Sequence, residues 1–137
     1  MNKKWNGKTC PTCLQGTLKH GKKRTSFEYR GHTLDYEQTG AWCNNCEEVV
    51  LSGKEALATE PLINDFISRI DKEEASEIAR IRKKLKLSQK QAVQITGGGH
   101  NAFSRYERGE VKPLPAVINL LKILDRHPEL LKEVLAA

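Results

Sequence analysis

Four cysteines stand in two Cys-x-x-Cys pairs, Cys10-Pro11-Thr12-Cys13 and Cys43-Asn44-Asn45-Cys46, and the chain has 4 cysteines in all. Two thiolates held two residues apart supply half of a tetrahedral Zn²⁺ shell, and a second pair completes it. The spacing therefore predicts that Cys10, Cys13, Cys43 and Cys46 hold one structural Zn²⁺ per chain. Four thiolates leave no position for a bound water, which argues against a Lewis-acid role and against an enzyme. Residues 14–42 lie between the pairs, more than the ordinary gap of about 12–20 residues. An iron–sulfur cluster would accept the same ligands. Disulfides or a redox pair would use the same thiols, but a thioredoxin-like pair wants a helix start in a βαβ unit, which the sequence does not offer. His20 and His32 fall between the pairs and are expected to be exposed strand or turn residues rather than ligands.

The second group lies far downstream, in Gly97-Gly98-Gly99-His100-Asn101-Ala102-Phe103-Ser104-Arg105-Tyr106. Three consecutive glycines form a turn, not a helix interior. On a helical wheel Asn101, Ser104, Arg105 and Arg108 share one face, with Ala102, Phe103 and Tyr106 opposite. Asparagine pairs bidentately with adenine and arginine with guanine, and the N-terminal part of a recognition helix approaches the bases. Asn101 and Arg105 are the expected base contacts, with Ser104 and Arg108 secondary. Asn101 can also serve as a helix N-cap. Residues 78–106 contain no acidic side chain. That window fits a polyanion, with Lys83, Lys84, Lys90 and Gln89 as expected phosphate contacts. For any single lysine in it, a solvated helix face is the simpler account.

Charge and pattern show what must position these groups. The net charge is +6. Residues 1–71 carry ten Lys/Arg and nine Asp/Glu, whereas residues 72–137 carry thirteen and eight. The basic half is the candidate for nucleic acid. No run long and apolar enough to span a membrane occurs, and Met1–Lys8 lacks a secretory apolar segment. A cytoplasmic protein is expected, in which thiols bind metal rather than pair.

Alternation through Phe27, Tyr29, Leu34 and Tyr36 predicts a hairpin turning at Arg30-Gly31-His32, and Glu48–Leu51 a short closing strand. Ser52 and Glu55 read as a capping box, opening a helix that Glu60-Pro61 should break or kink. Further helices are expected over 73–85, from Ser88 to Ile95, over 101–108, from the Pro113/Pro115 pair to Arg126, and over 129–135. The expected class is α+β: a small zinc-bound β-rich domain with a helix over 1–72, then an all-α five-helix helix-turn-helix domain over 73–137.

Several stretches together carry a resemblance to a known family. They are Cys-Pro-Thr-Cys at 10–13, Cys-Asn-Asn-Cys-Glu-Glu at 43–48, Ile81–Leu85, Gly97–Glu107, and Leu124-Asp125 with His127–Leu131. Leu87-Ser88-Gln89, with Phe103–Gly109, resembles the phage-repressor-like (XRE) helix-turn-helix class. The whole is similar to the MqsA antitoxins. That resemblance implies a homodimer whose zinc domain neutralises MqsR, an mRNA-cleaving toxin, and whose helix-turn-helix represses the operon of both. It places zinc on the four cysteines and base reading on Asn101 and Arg105. Apolar residues between Ile118 and Leu135 offer a dimer interface, and such dimers bind palindromic double-stranded operators. The alternative is a zinc-containing transcriptional regulator with no toxin partner. A redox enzyme using Cys10 and Cys13 is the remaining class.

Overall fold

The computed structural model describes residues 4–136, so Met1–Lys3 and Ala137 lie outside the described residues. The chain divides into two compact units, Met1–Ile67 and Ser68–Ala137.

In the first unit β1 (Leu18–Tyr29) and β2 (His32–Cys43) form an antiparallel hairpin, in register from Leu18 opposite Cys43 to Tyr29 opposite His32. Its loop is only Arg30 and Gly31, both with positive φ (49° and 82°). That is the primed two-residue turn whose twist matches the flanking strands. His32, expected in the turn, opens β2 instead. β3 (Val49–Val50) pairs with the end of β2 and completes a sheet of order β1-β2-β3. The core here is small: Cys10, Leu18, Ala41 and Cys43 are buried, with Trp5, Cys13, Cys46 and Val50 packed around them. Cysteine side chains thus occupy the centre that aliphatic residues fill in a larger domain.

α1 runs from Gly53 to Lys84. The capping box forms as expected: Ser52 N donates to Glu55 Oε1 at 2.9 Å, and Glu55 N to Ser52 Oγ at 3.2 Å. Pro61 does not break the helix, and the expected separate helix over 73–85 is its continuation. The carbonyl that loses its donor at Pro61 belongs to Leu57, a residue 65% exposed. Inside the first unit, buried Gln38 ties the sheet to the start of α1. Its Nε2 donates to Glu55 O at 3.3 Å, and its Oε1 accepts from Thr59 Oγ1 at 2.8 Å. Phe27 and Phe66 add an edge-to-face contact at 6.2 Å.

The second unit collects Ile78 and Ile81 of α1, and Leu85 just beyond its end, with α2 (Gln89–Thr96), α3 (Ala102–Glu107) and α4 (Pro115–Arg126) around one core. A 3₁₀ turn, Pro128–Leu130, precedes α5 (Leu131–Ala136). Ser88 caps α2 through a reciprocal pair with Gln91. The apolar side of α3 packs inward, with Ala102, Phe103 and Tyr106 only 2%, 0% and 9% exposed. Leu121 and Leu124 also belong to this core, while Ile123 and Leu135 remain exposed on the unit's surface. A three-stranded antiparallel sheet followed by several helices makes the chain α+β. Among the described residues no helix is long and apolar enough to cross a membrane.

Candidate metal centre and nucleic-acid interface

The two cysteine pairs are built alike. Each is followed by a non-glycine residue in the left-handed region, Leu14 (φ 61°) and Glu47 (φ 63°), which folds the chain back beneath its own sulfurs. Backbone amides then point at sulfur: Gly16 N to Cys13 Sγ at 3.3 Å, and Asn45 N and Cys46 N to Cys43 Sγ at 3.3 and 3.5 Å. Donors aimed at sulfur favour thiolate over thiol.

The pairs meet because β1 and β2 bring Leu18 opposite Cys43. Cys10 Sγ lies 3.7 Å from Cys46 Sγ, and Cys13 Sγ 3.7 Å from Cys43 Sγ. All four sulfurs fall within 4.8 Å of one another, a set able to hold a metal ion. Zinc–sulfur bonds of about 2.3 Å require tetrahedron edges of about 3.8 Å, so the spacing fits. A disulfide needs about 2.05 Å, and the four are free thiols here.

Their electrostatics point the same way. Amides of Cys13 and Thr12 outweigh burial and lower the Cys10 thiol. Those of Gln15 and Gly16 bring Cys13 down to about 6. Glu48 N favours the Cys46 thiolate, but burial and the three neighbouring sulfurs prevail and push it up to about 12.

Gly16 is a site residue that spacing did not reveal. A Cβ there would sit 2.2 Å from Cys43 Sγ and 2.9 Å from Asn45 Cβ. His20 corrects an expectation: it is not exposed. Its side chain is 6% accessible, and Nε2 lies 2.6 Å from Glu55 Oε2. The pair fastens β1 to the capping box of α1. Burial raises the Glu55 carboxyl, but Ser52 N and His20 more than offset it and hold it low.

In the second unit α2 and α3 are joined by Gly97, Gly98 and Gly99, at φ 76°, 98° and 83°. Gly98 is further required by contact, since a Cβ there would lie 2.9 Å from the Tyr106 hydroxyl. Asn101 precedes α3 in the left-handed region (φ 67°, ψ 9°), and its side chain makes no capping hydrogen bond. Arg105 and Arg108 are exposed and Ser104 half-buried. Arg108 also reaches Glu110 at 3.2 Å. Gln89 and Lys90 line, with Val93, His100 and Asn101, a cleft of about 190 Å³.

Of the basic run, Lys83 is exposed. Lys84 Nζ bonds Asp125 O and Oδ1 at 2.7 and 2.9 Å. Arg80 joins Asp125 and Glu77, so these two cations are held by carboxylates within the unit. Arg82 has another role. Its Nε and Nη2 take both oxygens of Glu107 at 2.8 and 2.9 Å, while Nη1 donates to Leu87 O at 2.8 Å. One guanidinium thereby joins α1, the turn before α2 and the end of α3. The sequence clue was Glu107, the acid that closes the acid-free window.

One unit carries four cysteines placed to hold a metal ion, and the other is a helical unit with Asn101, Arg105 and Arg108 exposed, a bipartite class of protein. Residues 8–135 match the family described as the antitoxin component of bacterial toxin-antitoxin systems, MqsA. Antitoxin MqsA of Escherichia coli (strain K12) is 41% identical over 128 residues, covering 91% of this chain and 98% of that protein. The chain belongs to the MqsA antitoxin family, whose role is regulatory rather than catalytic.

Proposed function

We propose that this antitoxin holds one structural Zn²⁺ on Cys10, Cys13, Cys43 and Cys46, and binds and neutralises an mRNA-cleaving, MqsR-like toxin through that unit. It represses its own operon as a homodimer in the cytoplasm, through a helix-turn-helix made of α2 and α3. Asn101 and Arg105 read bases in a palindromic double-stranded operator; Ser104 and Arg108 assist. Gln89, Lys83 and Lys90 meet phosphate, and Lys84 does so where Asp125 releases it. The observation that carries the proposal is the extent of the family match, which includes both the cysteine centre and the α2–α3 segment.

The test is co-expression with the neighbouring reading frame, scoring growth rescue and co-purification. Rescue with a stable complex, lost on Cys43→Ser, supports the assignment to the metal unit. Absence of toxicity and of a complex would leave a zinc-containing transcriptional regulator without a toxin partner.

A further inference from the structure

We propose that His100 is a proton-dependent phosphate contact: with Gln89 and Lys90 it forms a notch between α2 and the start of α3 that takes a phosphodiester oxygen of the operator. The inference rests on the DNA-binding part of the proposed function. His100 lines the same cleft of about 190 Å³ as Gln89, Lys90, Val93 and Asn101. Gln89 and Lys90 are the first residues of α2, and the helix preceding a recognition helix is the one that crosses the DNA backbone. Asn101, the next residue, is the expected entry point to the bases. A group between these two positions faces the phosphates that flank the groove.

The cleft's charge inventory gives the histidine its effect. Lys90 on α2 is its fixed cation, and among the described residues no carboxylate lines it. On α3 the charged residue nearest in sequence is Arg105, one turn beyond Asn101. Residues 78–106 carry no acid at all. A neutral imidazole offers one N–H donor, whereas the protonated ring offers two and a positive charge. Histidine is the side chain whose charge ordinarily changes between about pH 5 and 8. The rim is open, since a Cβ at Gly97 or Gly99 would meet nothing within 4 Å. The other histidines are placed differently. His20 is paired with buried Glu55, His32 opens β2, and His127 lies 3.4 Å from Glu129 after α4.

The experiment titrates the full chain with a duplex from upstream of its own reading frame, at about pH 6 and about pH 8 across a salt series. Wild type is expected to bind several-fold tighter at the lower pH. Its log–log salt slope should steepen by roughly 0.9 for each engaged His100. His100→Gln should bind at the higher pH like wild type and lose both responses, and His100→Lys should bind tightly at both. If His100→Gln keeps the wild-type pH and salt responses, or wild type shows none, the notch is overturned while DNA recognition stands. If wild type binds no duplex at either pH, the DNA-binding function falls and the notch falls with it.

Discussion

Arg82 and Glu107 meet as a two-point ion pair, Nε to Oε2 at 2.8 Å and Nη2 to Oε1 at 2.9 Å, with side chains only 13% and 10% exposed. Removing one partner leaves a largely buried charge alone. Glu107→Ala is expected to destabilise the second unit by about 3 kcal/mol, chiefly through the stranded guanidinium. The double variant Arg82→Met/Glu107→Leu should recover most of that loss. Urea unfolding followed by helical circular dichroism compares them; equal stability of Glu107→Ala and wild type would refute the clamp.

Gly16→Ala should cripple the metal centre, because the new methyl would lie 2.2 Å from Cys43 Sγ. Gly21→Ala is the matched control, since a Cβ there meets nothing within 4 Å. Competition against a colorimetric zinc chelator is expected to show a large loss of affinity for the first and none for the second. Equal affinities would mean that the sulfur arrangement differs from the one described.

Metal removal should separate the units. Binding at a structural four-thiolate site is worth roughly 10–16 kcal/mol, and the first unit has few other buried side chains. Excess chelator should therefore collapse the dispersed amide NMR signals of β1 and β2 while those of α2–α4 persist. Simultaneous loss of both sets would show that the second unit depends on the metal.

Acid should weaken the second unit through Asp125. Arg80 and then Lys84 hold its carboxyl down, from the ordinary 3.8 to about 2. A depressed carboxylate contributes stability that is complete above the unfolded value and is lost as pH falls through the folded one. The stability gap between wild type and Asp125→Asn should thus be constant above roughly pH 5 and close between roughly pH 4 and 2. Amide exchange in α4 across that range measures it, and a gap that stays open at the acid end would contradict the assignment.

Base reading and phosphate contact should separate by specificity. Arg105→Ala is expected to cost about 1–3 kcal/mol on operator and little on random duplex, while Lys83→Ala weakens both alike. Wild-type operator affinity for Arg105→Ala would exclude α3 as the reading helix.

Much of this organisation was legible in local chemistry. The cysteine spacing, the Arg30-Gly31 turn, the Ser52–Glu55 box and the inward face of α3 are each set by residues close in sequence. What escaped depends on distant partners. His20 looks like a strand-surface residue until Glu55, 35 positions on, covers it. Gly16 looks like an ordinary loop glycine until Cys43 arrives beside it. Pro61 signals a helix end on propensity, yet α1 runs on through it, with Phe66 and Ile70 beyond it both buried. Arg82 belonged by sequence to a DNA-facing run, and tertiary pairing with Glu107 drew it inward.

The left-handed backbone at Asn101 also governs how this antitoxin can diverge. Only glycine, asparagine and, less readily, aspartate adopt that conformation without a penalty of roughly 1–2 kcal/mol. Glycine has no side chain with which to read a base, and aspartate repels phosphate. Under the DNA-reading role proposed above, Asn101 is therefore close to irreplaceable for two separate reasons, one at the backbone and one at the amide. Under the same proposal, duplicated operons that must stop cross-talking have Ser104, Arg105 and Arg108 to vary, all in ordinary helical or helix-end geometry. New operator specificities in this lineage should accumulate there, around a fixed asparagine.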